Sequence, residues 1–261
     1  NIWSSELAKL TANAFLAQRI SSINSISALC EQTGADIREV SRAIGSDSRI
    51  GSKFLDSGPG FGGSCFKKDI LNLVYLAEYF GLNEVASFWY EVVKINTWHQ
   101  KRISKLIIKK LFGTLSGKKI AILGFAFKSN TNDTRESSSI QICKDLLDEG
   151  AELSIHDPKV NPQQIELDLK IAQTKTSKEK EKSRYKNESI WEFSSQIENT
   201  LINADAVLIL TEWNEYSEIN WEKVYKLMRK PAWVFDSRSI IEPQKVIQSG
   251  LKFWRIGDGV I

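Results

Sequence analysis

The 261-residue sequence is poor in several residue types and patterns that would have set its class directly. The three cysteines, Cys30, Cys65 and Cys143, are too few and too scattered for a disulfide framework or a zinc site. The two histidines, His99 and His156, have no partners at metal-ligand spacing, so neither is assigned a metal or catalytic role. A count of 35 Lys+Arg against 32 Asp+Glu leaves a net charge of +3, which argues against nucleic-acid or membrane-surface binding driven by charge. No apolar run approaches the ~18 residues of a membrane span, and no signal peptide is visible. These absences point to a folded chain of a reducing, cytoplasmic compartment. Methionine occurs once, at Met228, so the chain opens at Asn1 without an initiator and reads as a piece of a longer protein. At roughly 100–200 residues per domain, its length suggests two domains.

What is present divides into two halves of different period. Leu7, Leu10, Ala14 and Ala17 recur at helical spacing, and the pattern continues through Ile20, Ile23 and Leu29 to Gly34. Asp36 with Glu39 reads as a capping-box variant that opens a short helix with Ile37, Val40 and Ile44 inward. Residues 45–66 read as a Gly- and Ser-rich loop. A third helix carries Ile70, Leu73, Val74, Ala77 and Phe80, and a fourth runs from about Val85 to Leu111. The spacing thus predicts a helical domain over 1–112 and, after Gly117, an α/β domain over 117–261.

In that second half, Lys119–Gly124 is a short apolar run typical of a buried parallel strand. Leu153–Asp157, Ala206–Thr211, Trp233–Asp236 and Phe253–Ile256 read as further strands. Helical stretches fall near 220–229 and 242–249, and Asp133 is the expected N-cap of a helix ending at Gly150. Strands alternating with helices predict a doubly wound parallel sheet. Between the second and third of these strands, Gln173–Glu188 holds six basic and three acidic residues and is read as a solvated loop without a binding role.

Residues 56–69 carry the densest chemical signal. Gly58, Gly60 and Gly63 match the dinucleotide fingerprint in spacing, but they follow a helix and loop rather than a strand, so that reading is rejected. A better reading is a glycine-rich stretch that approaches a ligand closely and delivers Cys65 to a helix N-terminus. There, beside Lys67 and Lys68, a thiolate is favoured, with Asp69 as a nearby base or Lys partner. Against this stands the ordinary fate of a lone cysteine, a small buried residue. Glu6, Lys9 and Asn13 share a helix face, where Lys9 and Asn13 could stabilise an oxyanion; the alternative is a solvent-facing polar stripe. Phe127, Lys128, Arg135 and Arg238 sit near the carboxyl ends of strands, where such sheets bind ligands, and the bland reading of each cation is a surface charge. Cys30 and Cys143 fall at core-like helical positions.

Three stretches together resemble the UDP-glucose 6-dehydrogenase family, within the wider UDP-glucose/GDP-mannose dehydrogenases. They are Glu6–Asn24, Gly60–Asp69 (Gly-Phe-Gly-Gly-Ser-Cys-Phe-Lys-Lys-Asp), and Ile120–Lys128 with Asp133–Ser137. The resemblance implies oxidation of the C6 hydroxyl of UDP-glucose to a carboxylate with two NAD⁺, through a thiohemiacetal and a thioester on Cys65. It implies Lys9 and Asn13 as oxyanion donors and Asp69 in proton transfer or water activation. It places the UDP-sugar at Asp56, Ser57, Gly58, Pro59, Gly60, Phe61 and Gly62, at Lys9, Asn13, Phe127, Lys128 and Arg238, and at Arg49 across a dimer interface. NAD would meet Cys65, Phe66, Lys67, Lys68 and Arg135, and no metal is implied. The family's N-terminal NAD-binding domain is not in the sequence, so the chain is expected to be inactive alone. Ser237 and Lys67 depart from the residues common in the family. Two alternatives stay open: a non-catalytic UDP-sugar-binding and oligomerisation module, or a dehydrogenase of another nucleotide sugar.

Overall fold

A helix needs a capped start, an apolar stripe and a stop, and the first hundred residues supply these in turn. In the computed structural model, which describes residues 1–186 and 188–259, α1 spans Ile2–Thr33. The Asn1 side chain accepts from the Ser4 amide, and Gly34, at φ 81°, closes the C-terminus. Leu10, Ala14, Ala17 and Cys30 are buried, but so are Ser21, Asn24 and Ser27, while Leu7 and Leu29 lie exposed. The buried stripe is therefore more polar than the apolar spacing indicates. α2, Ile37–Gly45, is capped by Asp36 through the Arg38 amide. α3, Phe66–Tyr79, and α4, Asn83–Lys110, follow, and Ile70, Val74, Ala77, Trp89 and Val92 pack against Ala14 and Ala17 of α1.

Two compact units result: Asn1–Gln100 with the segment from Gly257, and Lys101–Ile256. The division falls inside α4 rather than at 112–117, because Ile103, Ile107 and Leu111 at the end of that helix belong to the core of the sheet. In the first unit, the Ile37 amide donates to the Gly257 carbonyl at 2.9 Å and the Gly259 amide to the Ala35 carbonyl at 2.9 Å, so the last described residues brace α2.

The second unit is a six-stranded parallel sheet in the order β3-β2-β1-β4-β5-β6. Its strands are β1 Lys119–Leu123, β2 Glu152–His156, β3 Ile190–Phe193, β4 Ala206–Ile209, β5 Trp233–Asp236 and β6 Lys252–Arg255. The connections hold α5 Ser138–Asp148, α6 Pro162–Leu169, α7 Ser177–Lys186, α8 Ile197–Leu201, α9 Asn214–Ser217, α10 Trp221–Leu227 and α11 Pro243–Gln248. This is the doubly wound order, with its switch point between β1 and β4. Leu123 lies in register with both His156 and Ile209, which brings the carboxyl ends of three strands to one edge.

Three expectations are corrected here. α5 starts at Ser138 under a Ser137 cap, not at Asp133, because Asp133 accepts from Arg135 in a turn of its own. The five expected strands become six, because Ile190–Phe193 adds β3. The charged stretch expected as a loop instead contains α7, Ser177–Lys186, whose Lys180 and Arg184 reach inward to buried Glu152. Burial alone would raise the Glu152 carboxyl, but its bonds to Arg184 and Lys180 overcome that and hold it below its ordinary 4.5; Glu192, bonded to Lys119 at 2.8 Å, is lowered likewise. The insert is thus a charged clip across β2 and β3.

Two outcomes follow from this packing. A Cβ at Gly124 (φ 96°) would lie 2.4 Å from Thr211 Cβ and 2.7 Å from its amide, so Gly124→Ala should cost about 2–4 kcal/mol in urea unfolding. Carboxyls lowered by folding stabilise above their unfolded value and lose that contribution as pH falls through the folded one. Stability measured against pH should therefore fall below about 4.5, and Glu152→Gln should flatten that fall.

Candidate functional site

The first unit gathers four of the sequence candidates. Cys65 is the N-cap residue of α3 and is exposed, so the buried-cysteine alternative is excluded for it, whereas Cys30 and Cys143 are buried. One turn on, the Asp69 amide donates to the Cys65 carbonyl at 2.8 Å. The Asp69 side chain is only 1% exposed, and its Oδ2 accepts from Asn13 Nδ2 at 2.6 Å. Lys9 Nζ stands 3.9 Å from the same oxygen, with 66% of its side chain in solvent. Lys9 and Asn13, one α1 turn apart, thus converge on the carboxylate of Asp69, one α3 turn past Cys65. A solvent-facing stripe would have had no such common partner.

The loop before Cys65 is held by side chains that the sequence reading did not select. Asn24 accepts from the Gly58 amide at 2.9 Å, and His99 Nε2 donates to the Gly58 carbonyl at 2.9 Å. Asn96 Oδ1 accepts from the Phe61 amide at 2.9 Å while its Nδ2 donates to the Phe61 carbonyl at 3.3 Å. Gly63, at φ 85°, then turns the chain in a conformation that side chains disfavour. The Phe61 ring meets Phe66 edge-on at 6.0 Å. Gly58, Pro59 and Phe61 are buried, Ser57, Gly60 and Gly62 half-buried, and Asp56 exposed. The signal for the missed residues is polarity inside a core stripe: Val92, Asn96 and His99 fall at i, i+4 and i+7 on α4 and all are buried.

Other candidates stand apart from this cluster. Arg49 is 87% exposed and bonds Asp47, two residues back, at 2.6 Å. That bond holds the Asp47 carboxyl below its usual range. Its loop is anchored instead by Arg19, whose guanidinium donates to the carbonyls of Ile50, Gly51 and Lys53. Lys68 is exposed and Lys67 half-buried.

In the second unit, the carboxyl edge is organised by Asp157. Its Oδ2 accepts from the amides of Phe125 and Ala126 at 2.7 and 3.0 Å, and its Oδ1 from those of Lys159 and Val160 at 2.9 and 3.0 Å. Thr211 Oγ1 donates to the Ala126 carbonyl at 2.7 Å. Arg238, at the end of β5, donates to the carbonyls of Leu210 at 2.7 Å and Phe127 at 3.1 Å, and pairs with Glu212 at 3.2 Å. Burial pushes its guanidinium down, and the Glu212 and Asp236 carboxylates oppose that. Phe127 and Arg238 are thus in direct contact, beside exposed Lys128. Arg135 is committed to Asp133 at 2.7 Å, which lowers the Asp133 carboxyl. His156 is buried against the Tyr216 hydroxyl at 3.0 Å, and burial pushes its imidazole down.

A dinucleotide seat needs a tight glycine turn after the first strand and an acid at the end of the second with oxygens to offer a ribose. Here the link from β1 to α5 runs from 124 to 137, and both Asp157 oxygens are engaged by backbone amides. The sheet is wound like a dinucleotide domain, yet its switch point is filled differently.

One chain thus carries a helical unit with an exposed thiol at a helix start and a doubly wound parallel sheet of the nucleotide-binding class. The pattern described as the UDP-glucose/GDP-mannose dehydrogenase family, central domain, matches residues 3–98, and that family's UDP binding domain matches residues 121–243. The chain belongs to this family. It is 51% identical to a UDP-glucose 6-dehydrogenase of Drosophila melanogaster, over 98% of this chain and 53% of that protein. It is 54% identical to one of Gallus gallus, over 93% and 48%. A solved UDP-glucose dehydrogenase of the archaeon Pyrobaculum islandicum superposes with a TM-score of 0.77 at 28% identity, covering 97% of this chain and 50% of that one. The chain therefore spans about half the length of these relatives. Among the described residues, no helix is long and apolar enough to cross a membrane.

The Asn13–Asp69 bond yields a direct outcome. Asn13→Ala removes the 2.6 Å donor from a buried carboxylate and should cost about 1.5–3 kcal/mol in denaturant unfolding of the chain.

Proposed function

We propose that this chain is the central and nucleotide-binding part of an NAD-dependent UDP-glucose 6-dehydrogenase, incomplete for catalysis on its own. The observation that carries this reading is exposed Cys65 at the start of α3, with Asp69 one turn on bonded to Asn13 and faced by Lys9. An exposed thiol preceded by a glycine loop is suited to attack a sugar aldehyde. Addition of Cys65 Sγ to C6 turns the carbonyl oxygen into an oxyanion, and Asn13 and Lys9 are the donors within reach of that charge. The resulting thiohemiacetal keeps the carbon on the protein between the two oxidations.

NAD supplies the hydride acceptor when bound. The described residues do not form its seat, since Asp157 and the 124–137 link are otherwise engaged. What this chain offers it are edge contacts at Cys65, Phe66, Lys67, Lys68 and Arg135. The sugar nucleotide is assigned to the loop Asp56–Gly62, and to Phe127, Lys128 and Arg238 in the sheet unit. Arg238 is suited to that role because its guanidinium is pre-oriented by two carbonyls and a carboxylate.

Pairing of two copies through the helical unit fits its surface. Trp3, Phe15, Tyr79, Phe80 and Phe88 are all exposed there, more aromatic area than a solitary unit normally leaves in water. Arg49, projecting from the same unit, would then reach the sugar nucleotide of the partner copy.

In the complete protein, Cys65→Ser should lower UDP-glucuronate production by at least about 100-fold. The 261-residue chain alone should make no NADH from UDP-glucose and NAD⁺. Unchanged uronate output from Cys65→Ser would refute the nucleophile. Calorimetry should rank UDP-glucose above UDP-N-acetylglucosamine and GDP-mannose; the reverse order would move the substrate to another nucleotide sugar.

A further inference from the structure

The loop Gly58–Phe61 has no regular structure, yet all four backbone polar groups of Gly58 and Phe61 are met by buried side chains of α1 and α4. Asn24 and Asn96 are amides, each suited to a peptide group. His99 is different. It is 1% exposed and lies on the same stripe as Val92, a position where an apolar side chain would pack without any polar cost. A carbonyl only accepts, so the 2.9 Å contact to Gly58 requires the His99 proton on Nε2. That bond sets the plane of the Gly58–Pro59 peptide. Pro59 has a fixed φ, which removes one of the rotations that could absorb a tilt of that peptide before Phe61, two residues on. Phe61 packs edge-on against Phe66, the residue after Cys65.

We propose that His99 is a positioning residue for Cys65: through the Gly58 carbonyl, it fixes the glycine loop in the orientation that presents the thiol at the start of α3. This rests on the reading of Cys65 as the nucleophile. Small displacements of a reacting group are costly, about 100-fold for 1 Å, so a single buried hydrogen bond can be felt in turnover.

The test compares His99→Leu, which fills the site without a donor, with His99→Gln, whose amide can reach the same carbonyl. In the complete protein, His99→Leu should lower kcat for UDP-glucose about tenfold while KM stays within about threefold. It should also change the rate at which iodoacetamide alkylates Cys65, followed by peptide mapping, by at least about threefold. His99→Gln should return both to near wild-type even where its thermal midpoint is no higher than that of His99→Leu. A packing role predicts the opposite order, because leucine suits an apolar stripe better than glutamine. Equal behaviour of the two variants, or wild-type alkylation and kcat in His99→Leu, overturns the proposal. If the wild-type protein makes no UDP-glucuronate, the functional reading fails, and the alkylation rates still decide the role of His99.

Discussion

A carboxylate taken out of water has to be met by donors, and at Asp69 that requirement shapes the helical unit. Its first turn in α3 ties it to Cys65 through the backbone, and its side chain reaches α1 through Asn13 at 2.6 Å. Leaving such a group unmet would cost several kcal/mol, so α1 and α3 are held in one register by chemistry as well as by packing. Ala14 and Ala17 permit the close approach that this bond needs, and both are fully buried. The same register sets Cys65, at the head of α3, one turn from the carboxylate that Asn13 and Lys9 face.

The sheet unit solves a similar problem with Asp157. Four backbone amides converge on its two oxygens, which fixes the start of the link after β1 and the turn after β2 together. In a dinucleotide fold, an acid at this position faces a ribose. Here its oxygens accept from amides of the protein itself, so the same winding order comes with a differently filled switch point. Thr211 and Arg238 close the remaining carbonyls of Ala126, Phe127 and Leu210, which ties the link after β1 to the segments after β4 and β5.

Long or strongly apolar elements were legible in the sequence. α1, α3 and α4 repeat an apolar stripe over several turns, and β1, β4 and β5 are continuous apolar runs. The Cys65 loop was legible because glycines, a thiol and two lysines crowd fourteen positions, 56–69. What escaped depends on partners distant in sequence. α7 has no apolar face, and its inward side is defined by Glu152, thirty-two residues from Arg184. Asn24 and His99 look ordinary in isolation and gain meaning only from Gly58, thirty-four and forty-one residues away. The cap of α5 was misplaced because Asp133 satisfied the pattern of an N-cap while its side chain closed on Arg135.

Within the proposed function, the geometry favours one of two roles for Asp69. A base that activates water must expose an oxygen to that water, and Asp69 shows 1% of its side chain to solvent. An amide nitrogen carries two hydrogens, so Asn13 can give one to Asp69 and keep the other for a substrate oxygen. Lys9, with three donors and most of its length in solvent, can do the same. On the proposed reading, Asp69 aligns two donors toward an oxyanion without its carboxylate touching the sugar. Donors fixed before the charge develops need no reorganisation when it does, which is the condition under which such stabilisation is strongest.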